Sequence, residues 1–246
     1  MTEIYLAEDH LLLESGYGNP EMHSHLACHV LVGLHGSMRV ITEKETVMCR
    51  GAIIPSGIVH TVESFGEPIL VFLFDITQAV VEQMQRFTVL NEQAAEGVAA
   101  AYQMIADGNP VKNYKKFFRE AMGMLGIREV GSRIRDDRIN FAMDFAEKHL
   151  QDTVTVKAAA EAACLSEGRF SHLFREQAGI AFSSWLVFRR LFFAYMKIAE
   201  GASITDASLA AGFSTPSHFA TVNKKMFGIT ASDLSGDYRL HKIADI

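Results

Sequence analysis

The sequence predicts an α+β protein of more than one domain, with β structure first and helices after it. Short apolar segments rich in β-formers crowd the first 75 residues. Apolar residues recur at helical spacing through the last 110. The two kinds of element come as blocks and do not alternate, which argues against a parallel α/β sheet. At 246 residues the chain is long enough for one large domain or two modest ones. A composition of 49% hydrophobic and 21% charged residues excludes a disordered or collagen-like chain. No apolar run of about eighteen residues is present, so no transmembrane helix is expected. The opening MTEIYLAEDH carries acids where a signal peptide needs basic residues and then an apolar core. These features predict a cytoplasmic protein with no membrane partner. Cys28, Cys49 and Cys164 lack CxxC spacing and give neither a disulfide framework nor a zinc finger. The net charge of −6 resides in residues 1–136, while residues 137–246 are neutral. A nucleic-acid reading must therefore rest on local pattern.

The segments HVLVGL (29–34), SMRVITE (37–43) and PILVFLF (68–74) read as strands, separated by glycines and prolines. Short strands at this spacing predict a sandwich or barrel over residues 1–76. From Thr77 to about Gly126 the residues favour helix, broken at Gly108-Asn109-Pro110. This stretch, 77–126, packs on the β domain or pairs with a second subunit. Residues 127–136 are charged and read as a linker. Beyond it, Ile139, Ala142, Met143, Ala146 and Leu150 mark one buried helix face.

The helical half, 137–246, contains an internal repeat. Sliding 155–185 onto 204–234, an offset of 49, leaves six identities: Ala158/Ala207, Ala162/Ala211, Phe170/Phe219, Gly179/Gly228, Ile180/Ile229 and Ser183/Ser232. Each copy is an Ala-rich helix, a tight turn and a second helix, with Ala162 and Ala211 as the small residues that let the helices cross. This is the helix-turn-helix layout, whose second helix enters the DNA major groove. Between the copies, SSWLVFRRLFFAYMKIAEG predicts one rod of about 17 residues, roughly 25 Å. Such a rod suits two recognition helices about one DNA turn, roughly 34 Å, apart.

FREQAG, RRLFFAYMKIAEG and ITDASLAAGFSTPSHFATVNKKMFG together resemble the C-terminal DNA-binding domain of AraC/XylS-type transcriptional regulators, over about residues 137–235. The resemblance implies two helix-turn-helix units, double-stranded promoter DNA as partner, a homodimer formed through the first half, and contact with RNA polymerase. Asn223 stands where the family has a core phenylalanine and Thr221 where arginine is common. Phe182 and Ala231 occupy positions often held by proline. By this alignment the first recognition helix presents Glu167, Gly168, Arg169, Ser171 and His172, with Arg175 one turn on. The second presents Pro216, Ser217, His218, Ala220 and Thr221, with Lys224 and Lys225 behind. Arg169 has the fork that reads guanine, and His172 can donate or accept at a base edge. Lys224 and Lys225 suit phosphates.

Four of ten histidines cluster in the β half. His23, His25 and His29 share odd parity in EMHSHLACHVLVG, so a strand there aims all three at one face. His60 follows a Pro-Gly turn. Imidazole suits zinc, copper and nickel, and an all-nitrogen set disfavours magnesium or calcium. These residues are the candidate ligands of one divalent transition metal: zinc, nickel or copper. Neutral imidazole is the ligand form, so affinity should fall as pH drops through about 6.5 or somewhat below. His10 and His149 stand alone and are not expected to ligate. Cys28, of even parity, faces the other way.

HSHLACHVLVGLHG resembles the first cupin motif, with His29 in place of its glutamate. G-x3-P-x-G-x2-H, from Gly51 to His60, resembles the second. The resemblance covers about residues 15–75 and implies a cupin-like β-barrel. It makes these four histidines the ligands of a metal or the lining of a cavity for an organic effector. The expected whole is an N-terminal cupin-like barrel with following helices and a C-terminal all-α domain with two helix-turn-helix units. Its function is that of a regulator controlled by a small molecule or metal. The rival reading is a metal-dependent cupin enzyme, a dioxygenase or isomerase, with a helical assembly domain.

Overall fold

The computed structural model describes residues 2–7, 10–16, 21–106, 109–128, 131–152, 154–227 and 238–243. Gly228, Ile229, Ala231 and Ser232, which the repeat and the family alignment invoke, lie outside the described residues, as does Gly108. The chain divides into two units. The first comprises Met1–Asp75, Ala79–Gly131 and Lys225–Ile246; the second comprises Ile76–Gln78 and Ser132–Lys224.

In the first unit the chain forms β1 (Thr2–Leu6), β2 (His10–Ser15), β3 (Cys28–Gly33), β4 (Met38–Thr42) and β5 (Thr46–Cys49). It continues through β6 (Gly51–Ile54), β7 (His60–Glu63), β8 (Ile69–Phe74) and a short β9 (Thr88–Val89). After the second unit it returns as β10 (Tyr238–Lys242). One sheet runs β10-β1-β2-β8-β3-β6-β9 and a smaller one β5-β4-β7. Leu31, Met38, Val40, Ala52, Ile54, Val62, Ile69 and Val71, drawn from both sheets, form one apolar core. The expected strands at 29–34, 37–43 and 68–74 are β3, β4 and β8.

Every residue of β3 is buried, which a half-solvated strand would not show. The reason lies in the helices α1 (Glu92–Ala106) and α2 (Pro110–Met124). Phe117 and Phe118 of α2 meet Phe72 and Phe74 of β8. Tyr102 and Tyr114 meet Tyr5 of β1. The helices expected within 77–126 thus pack on the sheet of their own unit. Asn109 caps α2, its side chain accepting the Lys112 N–H, with Pro110 in the first turn. Between Thr77 and α1 the predicted helix gives way to a 3-10 turn at Ala79–Gln83 and to β9.

The second unit holds α3 (Asp137–Lys148), α4 (Val156–Ala162), α5 (Glu167–Ala178), α6 (Phe182–Ala199), α7 (Ile204–Ala210) and α8 (Pro216–Phe227). The last few residues of α8 lie past the division between units, at Lys225. The expected face of α3 is buried at Ile139, Ala142 and Ala146, with Leu150 buried just past its end. Two expected boundaries shift. Residues 127–136 are not a free linker: Arg133 N–H donates to the Thr77 carbonyl and Ile134, 3% exposed, belongs to the helical core. The helical unit also ends before 246, because Tyr238–Lys242 pairs in parallel with Thr2–Leu6. In that pairing His241 Nε2 lies 2.7 Å from Glu3 Oε2 and its ring stacks on Tyr5.

Candidate DNA-binding helices and a candidate metal centre

The repeat acquires a sharper register in three dimensions. Thr155 and Ser203 cap α4 and α7, an offset of 48. The same offset pairs the fully buried Ala159 with Ala207 and Ala163 with Ala211. It also pairs Cys164 (φ 53°) with Gly212 (φ 78°), the left-handed residue of each turn. From Glu167 and Pro216 onward the offset is 49. The second turn is therefore one residue longer. Ala162, half-buried, is not the crossing residue; Ala163 is. A single ungapped slide could not show this, because an insertion changes the register midway.

Gly212 is required twice over. Its backbone is left-handed, and a Cβ there would stand 2.1 Å from the Leu150 carbonyl oxygen. Cys164 holds the matching left-handed position without that freedom, at a cost of about 1–2 kcal/mol for a residue with a Cβ.

α5 starts at Ser166, whose Oγ accepts the Arg169 N–H at 3.4 Å. Phe170, Leu173 and Phe174 turn inward, and Phe170 and Phe174 pack with Phe182 and Trp185 of α6. The opposite face leaves Glu167, Gly168, Arg169, Ser171, His172 and Arg175 exposed. All six residues expected on the outside are there, on one helix. His172 Nδ1 lies 3.6 Å from Glu176 Oε2, one turn on.

In α8 the Thr215 hydroxyl accepts the His218 N–H at 3.0 Å. Ser217, His218, Ala220, Thr221, Lys224 and Lys225 are exposed, with Pro216 half-buried in the first turn. His218 Nδ1 lies 3.2 Å from Ser214 Oγ, and the Thr221 hydroxyl donates back to the Ser217 carbonyl. Phe219 and Asn223 face inward, each fully buried. The polar Asn223 meets its burial cost by accepting from the Tyr195 hydroxyl of α6 through Oδ1. α6 itself is 18 residues long, about 27 Å at helical rise.

The four histidines converge, but not by strand parity. Residues 21–27 are not a strand; only His29 lies on β3. What brings the others in is a short antiparallel bridge between the loop at 21–27 and His60, the first residue of β7. His23 and His60 exchange backbone hydrogen bonds at 3.0 and 2.8 Å, and Gly57 N–H donates to the His25 carbonyl at 2.9 Å. Gly57 (φ 77°) supplies the turn that makes this possible. Side chains of a directly opposed pair project to the same face, so the rings of His23 and His60 lie 4.5 Å apart. His25 and His60 rings are 5.3 Å apart, and His25 and His29 rings 4.1 Å. One nitrogen from each of His23, His25 and His60 falls in a set lying within 4.8 Å of one another.

Each of these three rings is oriented by a carbonyl. Nδ1 of His23 sits 2.9 Å from the Glu21 oxygen, that of His25 3.0 Å from Ala27, and that of His60 2.8 Å from Ile58. With Nδ1 carrying the donated proton, Nε2 is the nitrogen that carries the lone pair a metal would take. Metal-bound histidines are held in this way by their outer nitrogen. The residues thus fit a transition metal, three imidazoles with a further position open. Burial lowers the pKa of all four. His25 and His29 lie well below the usual imidazole value, neighbouring rings adding to burial. His23 is lowered by burial against the Glu21 carbonyl. His60 is pushed down to about 4 by burial, against the Ile58 carbonyl, with His23 adding. All four stay neutral near pH 7, the ligand form. Sequence reasoning missed the carbonyls of Glu21, Ala27 and Ile58, since every residue has one and no side chain flags it.

His10 is buried against Tyr114, its Nε2 2.8 Å from the hydroxyl, and His149 Nδ1 lies 2.7 Å from the Phe145 carbonyl. Neither belongs to the set of nitrogens that His23, His25 and His60 bring together. Cys28 is buried, its sulfur accepting the Ser56 N–H.

A family model described as a helix-turn-helix domain matches residues 159–236. The arabinose operon regulatory protein of Escherichia coli (strain K12) is 32% identical over 100 residues, which is 40% of this chain and 34% of that protein. An uncharacterized HTH-type transcriptional regulator of Staphylococcus aureus (strain MSSA476) is 29% identical over 107 residues, 43% of this chain and 14% of its own length. The chain thus spans about a third or less of the curated relatives it matches. Among solved structures, unsaturated fatty acid-bound ToxT of Vibrio cholerae strain SCE256 superposes with a TM-score of 0.59 at 10% identity. The superposition covers 93% of this chain and 95% of that one. ToxT of Vibrio cholerae O395 gives 0.58 at 11% identity, covering 95% and 96%. The fold likeness spans both units. The family model's match begins within α4 of the helical one.

Proposed function

We infer, for a chain that belongs by its helical unit to the AraC/XylS-type regulators, a one-component transcription regulator. The second unit binds promoter DNA and the first binds the signal. The observation that carries this reading is the exposed face of α5 within a domain matched as helix-turn-helix. Arg169 reads a base edge, and Arg175, Lys224 and Lys225 meet phosphates. α6 sets the spacing between two helix-turn-helix units. The curated relatives named above are regulatory proteins, which weighs against the cupin-enzyme reading.

In the first unit, a cupin-like barrel built from the two sheets, His23, His25 and His60 hold one divalent transition metal: zinc, nickel or copper. Three carbonyl-oriented rings in a buried cluster support this. Bound there, the metal supplies a Lewis-acidic position for a small ligand. A signal acts only if it binds the DNA-competent and DNA-incompetent states differently. The regulator works as a homodimer in the cytoplasm, on double-stranded promoter DNA and with RNA polymerase. Gel shifts of genomic fragments, with chelated and with zinc-, nickel- or copper-loaded protein, test both halves. Specific shifts whose midpoint moves with metal are expected. The absence of any specific shift ends the DNA reading. A midpoint indifferent to metal, with less than about a tenth of an equivalent bound, ends the metal one and leaves an organic effector.

A further inference from the structure

Three of the clustered histidines are oriented by a backbone carbonyl, and the fourth is not. His29 is 3% exposed, and neither of its ring nitrogens has a hydrogen-bond partner among the described residues. It also stands outside the set of nitrogens that His23, His25 and His60 bring within 4.8 Å of one another. Yet its ring lies 4.1 Å from that of His25 and 5.3 Å from that of His60, edge-on at 89°. A metal-bound imidazole has its other nitrogen held from outside; His29 has no such holder, and nothing sets its tautomer. A buried imidazole with two idle nitrogens is costly unless a guest engages them.

We propose that His29 is not a fourth metal ligand but the residue that hydrogen-bonds a small carboxylate bound at the open position of the His23–His25–His60 centre. The proposal rests on the metal reading above and names the class of signal. A ring with one donor and one acceptor can give its N–H to a carboxylate oxygen. The glutamate of the cupin pattern would repel that anion, whereas the imidazole at position 29 admits it. The residues directly across from His29 are Ile54 on β6 and Leu73 on β8. Neither competes for the anion, and both offer apolar surface to a carbon skeleton.

Cobalt(II) reports both metal binding and the arrival of an anion through its visible absorption. The full chain, as wild type, His29→Ala, His29→Gln and His25→Ala, is titrated with cobalt and then with acetate. His29→Ala should take up one equivalent of cobalt with near wild-type affinity, and His25→Ala should lose it. Acetate affinity should fall about tenfold to a hundredfold in His29→Ala, the worth of one hydrogen bond to a charged group. His29→Gln, which keeps an N–H donor, should recover part of that loss. Cobalt lost from both His29 variants as fully as from His25→Ala would make His29 a ligand and overturn the proposal. Acetate affinity unchanged in His29→Ala overturns it as well. A wild-type chain that takes up no cobalt removes the centre itself, a separate failure that is visible before any acetate is added.

Discussion

At the scale of single residues, Arg169 and His60 do opposite things with charge. Arg169 keeps its guanidinium exposed on the outer face of α5, one turn past the Ser166 cap. Arg169→Ala should weaken binding to the specific operator by about 1–3 kcal/mol, the worth of a bidentate base contact. Binding to unrelated DNA should change much less. Footprinting with wild-type and variant protein measures both, and an unchanged footprint and affinity would remove Arg169 from base reading. His60 instead is kept uncharged. With its folded pKa near 4 and an unfolded value of about 6.5, the unfolded chain binds more protons between those limits. The stability it contributes is therefore complete above about pH 6.5 and is lost as pH falls toward 4, by about 3 kcal/mol at most. Denaturation of metal-free protein at pH 7 and pH 4.5 should show this loss, and His60→Asn should shrink it. The ordinary imidazole value placed the loss of ligand form at about 6.5 or somewhat below; burial of the cluster puts it on the lower side.

At the scale of elements, the turns divide what was legible from what was not. The strands at 29–34, 37–43 and 68–74 could be read directly, because each is a run of β-formers bounded by glycine or proline, and the outward face of α5 followed from the family alignment. The one-residue insertion in the second turn could not, since it leaves both helices intact and only breaks register. Strand alternation was expected to aim His23, His25 and His29 at one face, but His23 reaches His60 through a backbone bridge to the start of β7. Only half of the expected cause holds: His60 opens a strand, β7, whereas residues 21–27 do not form one. β10 had no signal at all: YRLHK is short and polar, and its partner β1 lies at the other end of the chain. The paired left-handed positions give a test of the corrected register. Cys164→Gly should stabilise the helical unit by roughly 0.5 kcal/mol, the relief of left-handed strain less the added freedom of the unfolded chain. Gly212→Ala should destabilise it by more than about 2 kcal/mol, since the new Cβ meets a carbonyl oxygen as well as the backbone strain. Thermal unfolding of the two variants checks the sign of each. Stabilisation by both, or destabilisation by both, would break the equivalence of the two turns.

At the scale of the whole molecule, the described division of the chain corrects where a DNA-binding fragment should begin and end. A fragment of residues 137–246 would start after Ile134, which is buried in the helical core. It would also lose the Arg135 and Asp136 N–H groups that donate to Gln177 Oε1 of α5. At its other end it would carry β10 without β1, exposing strand edges with nothing to pair them. Residues 132–237 keep the first set of contacts and drop the second liability. The shorter-ended fragment should therefore be more stable than 137–246 by about 1.5–3 kcal/mol, the value of one buried Ile side chain. It should also stay monomeric where the longer one associates. Both should bind promoter DNA, with affinity falling steeply as salt rises, because the contacts from Arg175, Lys224 and Lys225 release counterions. Urea denaturation ranks the two fragments, and a salt series in a gel shift reads the slope. Equal stability would return Ser132–Asp136 to the status of a linker. A helical, stable 132–237 that ignores DNA at low salt would mean that the second unit does not recognise DNA unless the first unit is attached.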